Sequence, residues 1–565
     1  MSAVRKKSAP NRRRPLVNKG DLFVAKAVAS PEGDMRLVPR GGDFSHALVS
    51  KKSGSPKLRN GHLALARIEG FSKDGKQAVP LAVVETVIGR AGEMEAEKRA
   101  IGFKYNLPGE FPAAVLSHAK DVCRADPSKA ADGRVDLRKK TIFTIDGDDA
   151  KDYDDAVGIS NKGAGYTVWV CIADVSHYVS PGGELDREAL RRSTSVYLDD
   201  RVIPMLPEAL SNDLCSLVPH KDRLTKTVEM EFSSGGELND FHVYNSIIRS
   251  AARLTYSGVT DFLEGGAGAG VPDEAKRPLT AMKDLYEKIK KRSIENGELD
   301  FDLPEPLLVR DKTGRVTDVV NADRGVANMI IEQFMIAANR AVGMRLRKNG
   351  SGVYRVHEPP TEESTAELVS DLRKLGYKAD MPKKATARAI QKLLRDFRGK
   401  KEESSVKMLV LRSLQRAVYS TRKEGHFGLG LREYTHFTSP IRRYPDIIAH
   451  RMIDSPKAAP ARLDEICEKT SKLERNAERA ERETVELETA NYMKTLIGRV
   501  FTGKVISILP FGMFLELNEI CAEGFVPREK MARGGRRKWF DMGQEVKIRV
   551  AGADLERRRT IMEPV

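Results

Sequence analysis

The sequence predicts an α+β multidomain protein in which small β-barrels flank one large mixed α+β domain. Its 565 residues are too many for a single hydrophobic core. Short β-like runs are concentrated near both ends of the chain, while long helical stretches occupy the middle. Hydrophobic residues make up 40% of the chain and charged residues 31%, which supports packed cores, and no apolar run is long enough to cross a bilayer.

The amino-terminal part is predicted to be a basic arm followed by a small barrel. Residues 1–20 contain seven basic side chains and no acidic one, which is typical of a disordered arm that contacts phosphates. Residues 21–92 contain β-like runs at His62–Ile68 and Ala78–Val84 on either side of Asp74-Gly75, a strong hairpin signal. We therefore expect a β-barrel over 21–92.

The rest of the chain is predicted to form two further domains. Residues 93–495 mix strands such as Tyr166–Ala173 with long helical segments and contain no strong linker, which favours one large α+β domain. A highly charged helix, with close ion pairs on its solvated surface, is expected from Arg462 to Lys494. The final segment, residues 496–565, is again β-rich.

The charge balance favours a polyanionic partner. The chain has 96 Lys and Arg against 80 Asp and Glu, a net charge of +16, and without residues 1–20 the balance is still 89 minus 80, or +9. The alternative is a generic solubilising surface. No secretory signal is present, so we expect a cytoplasmic protein without a membrane partner. No readable pattern encodes protein partners or the oligomeric state, and a monomer is the expectation.

The cysteines argue against both a disulfide framework and a cysteine zinc site. They are odd in number, scattered, and contain no CxxC pair. We expect reduced and mostly buried thiols at Cys123, Cys171, Cys215, Cys467 and Cys521.

An acidic cluster is the first candidate site. Residues 141–155 consist of an apolar strand followed by six aspartates within ten positions, offset only by Lys151. Such crowding is electrostatically unfavourable, and hard divalent cations with oxygen ligands relieve it. An EF-hand is excluded because no register has the required ligand spacing. A Mg²⁺ site is therefore predicted, with a solvated acidic loop as the alternative.

A second candidate site lies at Tyr434–Asp446. Arg442 and Arg443 offer planar donors for phosphate oxygens, Ser439-Pro440 predicts a tight backbone, and aromatic rings are available to nucleobases. An arginine pair of this kind is otherwise a common surface ion-pair element. In combination with the acidic cluster, it predicts metal-assisted hydrolysis of a phosphodiester.

Several motifs resemble the ribonuclease II/ribonuclease R family in both sequence and order, and they look closer to ribonuclease R. The resemblance covers roughly residues 100–495. The motifs that carry it are Thr144–Val157, Ile172–Tyr178, Ile203–Pro207, Leu214–Leu217 and Tyr434–Asp446.

The resemblance implies a processive 3′→5′ exoribonuclease that uses Mg²⁺ and hydrolyses single-stranded RNA to nucleoside 5′-monophosphates. It leaves the number of metal ions open. The implied catalytic residues are Asp154, the most critical, and Arg442, which contacts the scissile phosphate. The implied metal site consists of Asp146, Asp152, Asp154 and Asp155.

The resemblance also implies RNA-binding residues. Tyr197 and Phe301 match aromatics that clamp the terminal bases, although a lone aromatic is more often part of a core. Glu332 lies on a predicted helix, away from the apolar stripe that runs from Val326 to Leu346, so it faces either the catalytic cleft or solvent.

Both end segments resemble RNA-binding OB-fold domains. Residues 21–92 look like a cold-shock domain, and 496–565 resemble the domain repeated in a large ribosomal protein. In the latter, Phe511 and Phe514 are expected to stack on bases. Four basic residues are expected to follow phosphates: Arg533, Arg536, Arg537 and Lys538.

Two departures from the family and two rival functions remain. Fuller family members carry a second cold-shock-like domain and a basic carboxyl tail, and without them the access of structured RNA is open. A non-catalytic RNA-binding scaffold is the first rival, and the retained metal aspartates argue against it. A nuclease acting on DNA is the second, because 2′-hydroxyl contacts are not readable from sequence.

Overall fold

The structure is a computed structural model, in which the described residues form two compact units. The first unit contains the described chain up to Leu107, together with Arg479–Asn491 and Asp554–Arg558. The second contains Pro108–Glu478, Tyr492–Ala553 and Arg559–Val565. The described residues are 17–41, 44–50, 56–74, 77–199, 201–301, 304–374, 376–378, 381–533, 536–537 and 540–565.

A closed barrel with strand order β1-β2-β3-β5-β4 forms the centre of the first unit. Its interior contains many alanines, among them Ala25, Ala64 and Ala82, because a narrow barrel has room only for small inward side chains. The two long strands pair as far as Asp74 and Gln77, which agrees with the predicted hairpin, while Gly75 lies outside the described residues. The elements are β1 (Leu22–Ala29), β2 (Met35–Pro39), β3 (Ala47–Val49), β4 (His62–Asp74), β5 (Gln77–Arg90) and helix α1 (Met94–Lys104).

Ion pairs join α1 to the helical segment Arg479–Asn491 within the first unit. Lys98 Nζ lies 2.6 Å from Glu488 Oε1, and Lys104 Nζ lies 2.5 Å from Glu483 Oε1. The sequence assigned this segment to the large domain, whereas its contacts group it with the first barrel. The predicted boundaries 21–92, 93–495 and 496–565 remain predictions.

A mixed sheet with strand order β6-β13-β12-β9-β8 forms the core of the second unit. Strand β9 is buried along nearly its whole length, while β8 is an edge strand that begins at Asp155. The acidic cluster therefore leads directly into the edge of this sheet. The strands are β6 (Val135–Asp136), β7 (Thr144–Asp146), β8 (Asp155–Lys162), β9 (Gly165–Ala173), β10 (Val196–Leu198), β11 (Arg201–Ile203), β12 (Asp222–Phe232), β13 (Leu238–Arg249), β14 (Arg253–Thr255), β15 (Pro306–Arg310), β16 (Val316–Asn321), β17 (Tyr354–Val356) and β18 (Val418–Ser420).

Helices pack around this sheet, and α7 has the buried stripe that the sequence predicts. Its stripe residues from Val326 to Leu346 are buried, whereas Glu332 is not. The helix predicted over Arg462–Lys494 is also confirmed, as α12. The helices are α2 (Ala113–Val122), α3 (Val175–Tyr178), α4 (Glu184–Arg192), α5 (Tyr256–Leu263), α6 (Asp273–Asn296), α7 (Val326–Lys348), α8 (Glu362–Lys374), α9 (Ala387–Phe397), α10 (Glu403–Ser413), α11 (Tyr444–Asp454) and α12 (Leu463–Lys494).

A second closed barrel, with strand order β19-β20-β21-β25-β24, lies near the end of the chain. The amide of Cys521 in this barrel donates a hydrogen bond to the carbonyl of Val319 in β16 at 2.9 Å. The predicted fold class, a mixed α+β domain flanked by small barrels, is thus confirmed. The strands in this part of the chain, which include the separate pair β22–β23, are β19 (Val500–Leu509), β20 (Gly512–Leu517), β21 (Glu523–Pro527), β22 (Ala532–Arg533), β23 (Arg536–Arg537), β24 (Glu545–Asp554) and β25 (Arg559–Pro564).

Two simpler expectations concern thiols and membranes. All five cysteines are free, and Cys171, Cys215 and Cys467 are buried. Within the described ranges, none of the helices combines the length and the apolar character that a membrane span requires.

Candidate active site

The acidic cluster forms the loop from β7 to β8, and neighbouring segments hold it in place. Strand β7 pairs in parallel with β14, which sets Asp146 opposite Thr255. Ser216 Oγ donates to the carbonyl of Lys151 at 2.8 Å and accepts from the amide of Tyr153 at 3.0 Å. The motif Leu214–Leu217 therefore has a structural role, because its serine shapes the acidic loop.

Asp154 is the buried centre of the site. Only 5% of its surface is exposed. Its Oδ1 accepts a hydrogen bond from the amide of Ile441 at 2.8 Å, and its Oδ2 lies 3.8 Å from Nε of Arg442. Burial raises the pKa of Asp154 well above its usual range, while Arg442 and the Ile441 amide oppose this shift. The two candidate segments of the sequence thus meet at this carboxylate.

The pKa values of two further aspartates are raised above their usual range. Burial, followed by the charge of Asp155, raises the pKa of Asp146 to about 8. Burial likewise raises the pKa of Asp155 to about 6, although Arg442 and Arg443 counteract it. Partly buried carboxylates whose pKa is raised in this way lack sufficient positive charge nearby, which is the environment expected for a cation site.

Asp446 organises the loop that carries the two arginines. Its Oδ1 accepts from the amide of Ser439 at 2.8 Å and from Nη2 of Arg443 at 2.7 Å. Arg443 therefore forms a structural ion pair with Asp446 at the start of α11. Arg442 remains 42% exposed, and its Nη2 donates to Ser439 Oγ at 3.1 Å, so its guanidinium is available to a ligand.

Tyr197 lies beside the acidic loop. Its ring is 40% exposed, and its hydroxyl donates to Oδ2 of Asp152 at 3.2 Å. The strand pair β10–β11 carries it, and the preceding Ser195 amide donates to the carbonyl of Arg442 at 3.0 Å. Ser195 Oγ also accepts from the amide of Met205 at 2.9 Å, which explains the motif Ile203–Pro207.

Phe301 and Glu332 contact other residues of the second unit. Phe301 is partly buried against a separate hydrophobic cluster that includes Leu299 and Leu368. Glu332 accepts from Nη2 of Arg324 at 3.1 Å, and its side chain is 49% exposed. No hydrogen bond or ion pair among the described residues joins either one to the four aspartates of the predicted metal site.

The second barrel offers one open aromatic face. Phe511 is 51% exposed, whereas the ring of Phe514 is covered by the guanidinium of Arg559 at 5.5 Å and contacts Phe525 at 5.0 Å. The four basic residues predicted to follow phosphates fall in a segment whose side chains lie outside the described part of the structure.

Two residues that sequence reasoning missed also contact the site. Arg253 Nη2 donates to the carbonyls of Gly147 and Asp148 at 2.6 and 2.7 Å, so it supports the acidic loop. Tyr256 lies close enough to Asp146 and Asp155 for burial and their charges to raise the pKa of its hydroxyl. Neither residue belongs to a recognisable motif, and only the parallel pairing of β14 with β7 brings them here.

The residues present fit a hard divalent cation. Asp146 Oδ2 is buried and has no hydrogen-bond partner among the described residues. Mg²⁺ is bound by one or two carboxylates and takes its other ligands from water and substrate phosphate. In the described part of the chain, no set of three or more His, Cys, Asp or Glu side chains is arranged to hold a metal ion alone.

Three parts of the chain match known protein families. Residues 134–457 match the RNB domain, 494–563 the S1 RNA binding domain and 37–112 the cold shock domain. The chain is 39% identical to ribonuclease R of Aquifex aeolicus over 567 residues, which cover 96% of this chain and 80% of that protein.

Solved structures share the fold. RNase R of Mycoplasma genitalium, in complex with ribose methylated single-stranded RNA, matches with a TM-score of 0.85 at 24% identity, over 97% of this chain and 90% of that one. Yeast Ssd1, a pseudonuclease, matches with a TM-score of 0.72 at 18% identity, over 90% and 65%. The fold alone therefore does not establish catalysis. The RNB match and the identity to curated ribonuclease R do, and the chain belongs to the ribonuclease R family of RNB-domain 3′→5′ exoribonucleases.

Proposed function

We propose that this exoribonuclease hydrolyses single-stranded RNA to nucleoside 5′-monophosphates in a Mg²⁺-dependent reaction centred on Asp154. The observation that carries the proposal is the environment of this carboxylate, between the Ile441 amide and the Arg442 guanidinium. Around Asp154, carboxylates that could bind a cation lie next to a guanidinium that could bind a phosphate. A surface acidic loop would not bury a carboxylate in this way.

The acidic residues would hold the cation. Asp146 contributes an oxygen that has no hydrogen-bond partner among the described residues, and Asp152, Asp154 and Asp155 follow it in the acidic cluster. When bound, Mg²⁺ supplies charge neutralisation and activation of water for attack on the phosphodiester. The raised pKa values of Asp146 and Asp155 support this assignment, since a neighbouring cation would stabilise their charged forms.

Arg442 is proposed to bind the scissile phosphate. Its guanidinium is oriented by Ser439 and Asp154, yet it is exposed enough to reach a ligand. A planar guanidinium donates two parallel hydrogen bonds to phosphate oxygens and neutralises charge that develops in the transition state. Arg443, by contrast, is committed to Asp446 and keeps the loop in shape.

The RNA strand is proposed to be held by stacking and by the flanking barrels. Tyr197 presents its ring beside the acidic loop, and Phe511 presents one on the second barrel. Phe301, Glu332 and Phe514 keep their proposed RNA-binding roles. In the structure, each of these three side chains also contacts other residues of the protein. We further propose that the enzyme acts in the cytoplasm as a monomer.

One assay tests the proposal against its two rivals. RNA and DNA of the same sequence, labelled at the 5′ end, are incubated with the full chain in Mg²⁺ or in EDTA. We expect a ladder that shortens from the 3′ end on RNA alone and disappears in EDTA. Cleavage of both polymers would favour the DNA-acting nuclease, and binding without cleavage would favour the scaffold.

The scaffold rival has a structural precedent, because the pseudonuclease Ssd1 shares the fold. A scaffold has no need for a buried, unpartnered carboxylate, since such a group destabilises the folded state. This chain keeps aspartate at all four proposed metal positions, and one of them, Asp146, has such an oxygen. That retention supports the enzyme over the scaffold.

A further inference from the structure

The β15–β16 hairpin contacts two different parts of the second unit. Arg310, the last residue of β15, forms an ion pair with Asp199 in the turn between β10 and β11. On the other strand, the carbonyl of Val319 accepts the hydrogen bond from Cys521 of the second barrel. The hairpin therefore lies between that barrel and the strand pair that carries Tyr197.

Arg310 is fixed within its own hairpin. Its guanidinium also donates to the carbonyl of Gly314 in the turn. Asp311 closes this turn, because its Oδ1 accepts the amides of Thr313 at 2.8 Å and Arg315 at 3.2 Å. The side chains of Arg310 and Asp199 are only 23% and 13% exposed, so water screens their attraction less than it screens a surface pair.

The strand pair that carries Tyr197 needs external support. Strands β10 and β11 contain three residues each, and a two-stranded hairpin of this size is not stable alone. Its base is held by Ser195, through hydrogen bonds with Arg442 and Met205. Its tip, two residues beyond Tyr197, is held by the ion pair between Asp199 and Arg310.

We propose that Asp199 and Arg310 are positioning residues for the Tyr197 ring and thereby set the length at which the enzyme releases its final product. This inference rests on the proposed stacking role of Tyr197. Neither residue acts on the reacting atoms. Their pair holds the tip of the strand pair, so that the ring stays in place when only a few nucleotides remain bound.

The expected effect depends on RNA length. A long strand is held by many contacts, so a loosened ring changes its degradation little. A short strand depends on the remaining stack, and its dissociation quickens when the ring is mobile. Weakening the pair should therefore lengthen the limit products without slowing the early degradation of long RNA.

The experiment uses the full chain and 5′-labelled single-stranded poly(A) in Mg²⁺, with limit products resolved on a denaturing gel. The variants are Asp199→Asn, Arg310→Gln and the charge reversal Asp199→Arg with Arg310→Asp. Tyr197→Ala and its combination with Asp199→Asn show whether the pair acts through the ring. Asp371→Asn, in the exposed pair with Lys374, is the matched control. KM and kcat are measured on a short oligonucleotide, and thermal unfolding is followed for every variant.

We expect the two single variants to lengthen the limit products and to raise the short-oligonucleotide KM by about threefold to tenfold. The kcat at saturation should stay near that of the parent, and the charge reversal should restore the product length. The combined variant should resemble Tyr197→Ala alone. If Arg310→Gln does not fold, Asp199→Asn alone tests the pair and is expected to lengthen the limit products.

Three results would overturn the inference, and they can be distinguished from one another. Unchanged products in Asp199→Asn and Arg310→Gln, with altered products in Tyr197→Ala, would remove the positioning role and leave the stacking role intact. Unchanged products in Tyr197→Ala would remove the stacking role and the inference with it. Additive defects in the combined variant would also count against the inference, because the pair would then act elsewhere.

Discussion

The hydroxyl of Tyr197 donates a hydrogen bond to Oδ2 of Asp152 at 3.2 Å, so an exposed aromatic ring is tied directly to the acidic loop. The contact gives Tyr197 two separable properties, a ring that can stack on a base and a hydroxyl that contacts a proposed metal ligand. Substitutions that remove one property at a time can tell which of them matters.

The first prediction separates the ring from the hydroxyl. Tyr197→Ala removes both, and we expect longer limit products, because a base–aromatic stack contributes roughly 1–3 kcal/mol, about tenfold to a hundredfold in short-strand release. Tyr197→Phe keeps the ring, and its products should match those of the parent. The check is a denaturing gel of products from a labelled homopolymer. Equal lengthening in both variants would instead assign the effect to the hydroxyl and Asp152.

The second prediction concerns Asp154→Asn, which keeps the size of the side chain but removes its charge. We expect turnover to fall on the order of 10² or more, because an electrostatic contribution to the transition state is lost, while RNA binding persists. Single-turnover rates and filter binding measure the two quantities. Asp149→Asn, an exposed aspartate of the same loop without a proposed role, is the control and should stay near the parent. Near-parent turnover in Asp154→Asn would contradict the assignment.

The third prediction tests the open aromatic face of the second barrel. Phe511→Ala should weaken binding of a long single strand by about tenfold, since one stacking contact is lost. The slope of affinity against salt concentration should not change, because no charge is removed. Leu509→Ala is the matched control, as Leu509 is 40% exposed in the same barrel. A similar loss in both variants would show a general effect on the barrel surface.

The fourth prediction concerns acid stability through Asp174. Burial alone would raise its pKa, but the charges of Lys226 and Arg134 and a hydrogen bond from Ser176 outweigh burial and lower the pKa to about 2. A lowered pKa stabilises the fold above the unfolded value near 4, and this stability is lost as the pH falls towards about 2. It amounts to roughly 2 kcal/mol.

The measurement is the urea midpoint of the parent and of Asp174→Asn between about pH 6 and pH 3. The difference between the two proteins should be constant at the upper end and should shrink below about pH 4, since other carboxyl groups are common to both. A difference that stays constant over the whole range would show that Asp174 is not the titrating group.

Local patterns predicted much of the fold, because they depend on neighbouring residues. The strand at β9 and the buried stripe of α7 follow from hydrophobic periodicity, which reports burial directly. The hairpin of the first barrel follows from a turn signal between two β-like runs. These features do not require knowledge of the distant chain.

Local sequence patterns could not predict how distant segments assemble into the site. Asp154 and Ile441 are 287 positions apart, and only their complementary chemistry and the family resemblance suggested that their segments act together. Arg253 and Tyr256 carried no local signal, since a parallel strand pair brings them to the loop. Phe301 and Glu332 matched the family pattern, yet each has its own protein contacts away from the aspartates.

The hydrogen bond from the Ile441 amide to Asp154 has a consequence for biosynthesis. A nascent chain presents its aspartates long before the ribosome has added Ile441 and Arg442. Until then the carboxylate lacks its amide donor and its guanidinium, and contacts of such large sequence separation form late in folding. An unfinished polypeptide therefore has no complete centre for cleaving RNA.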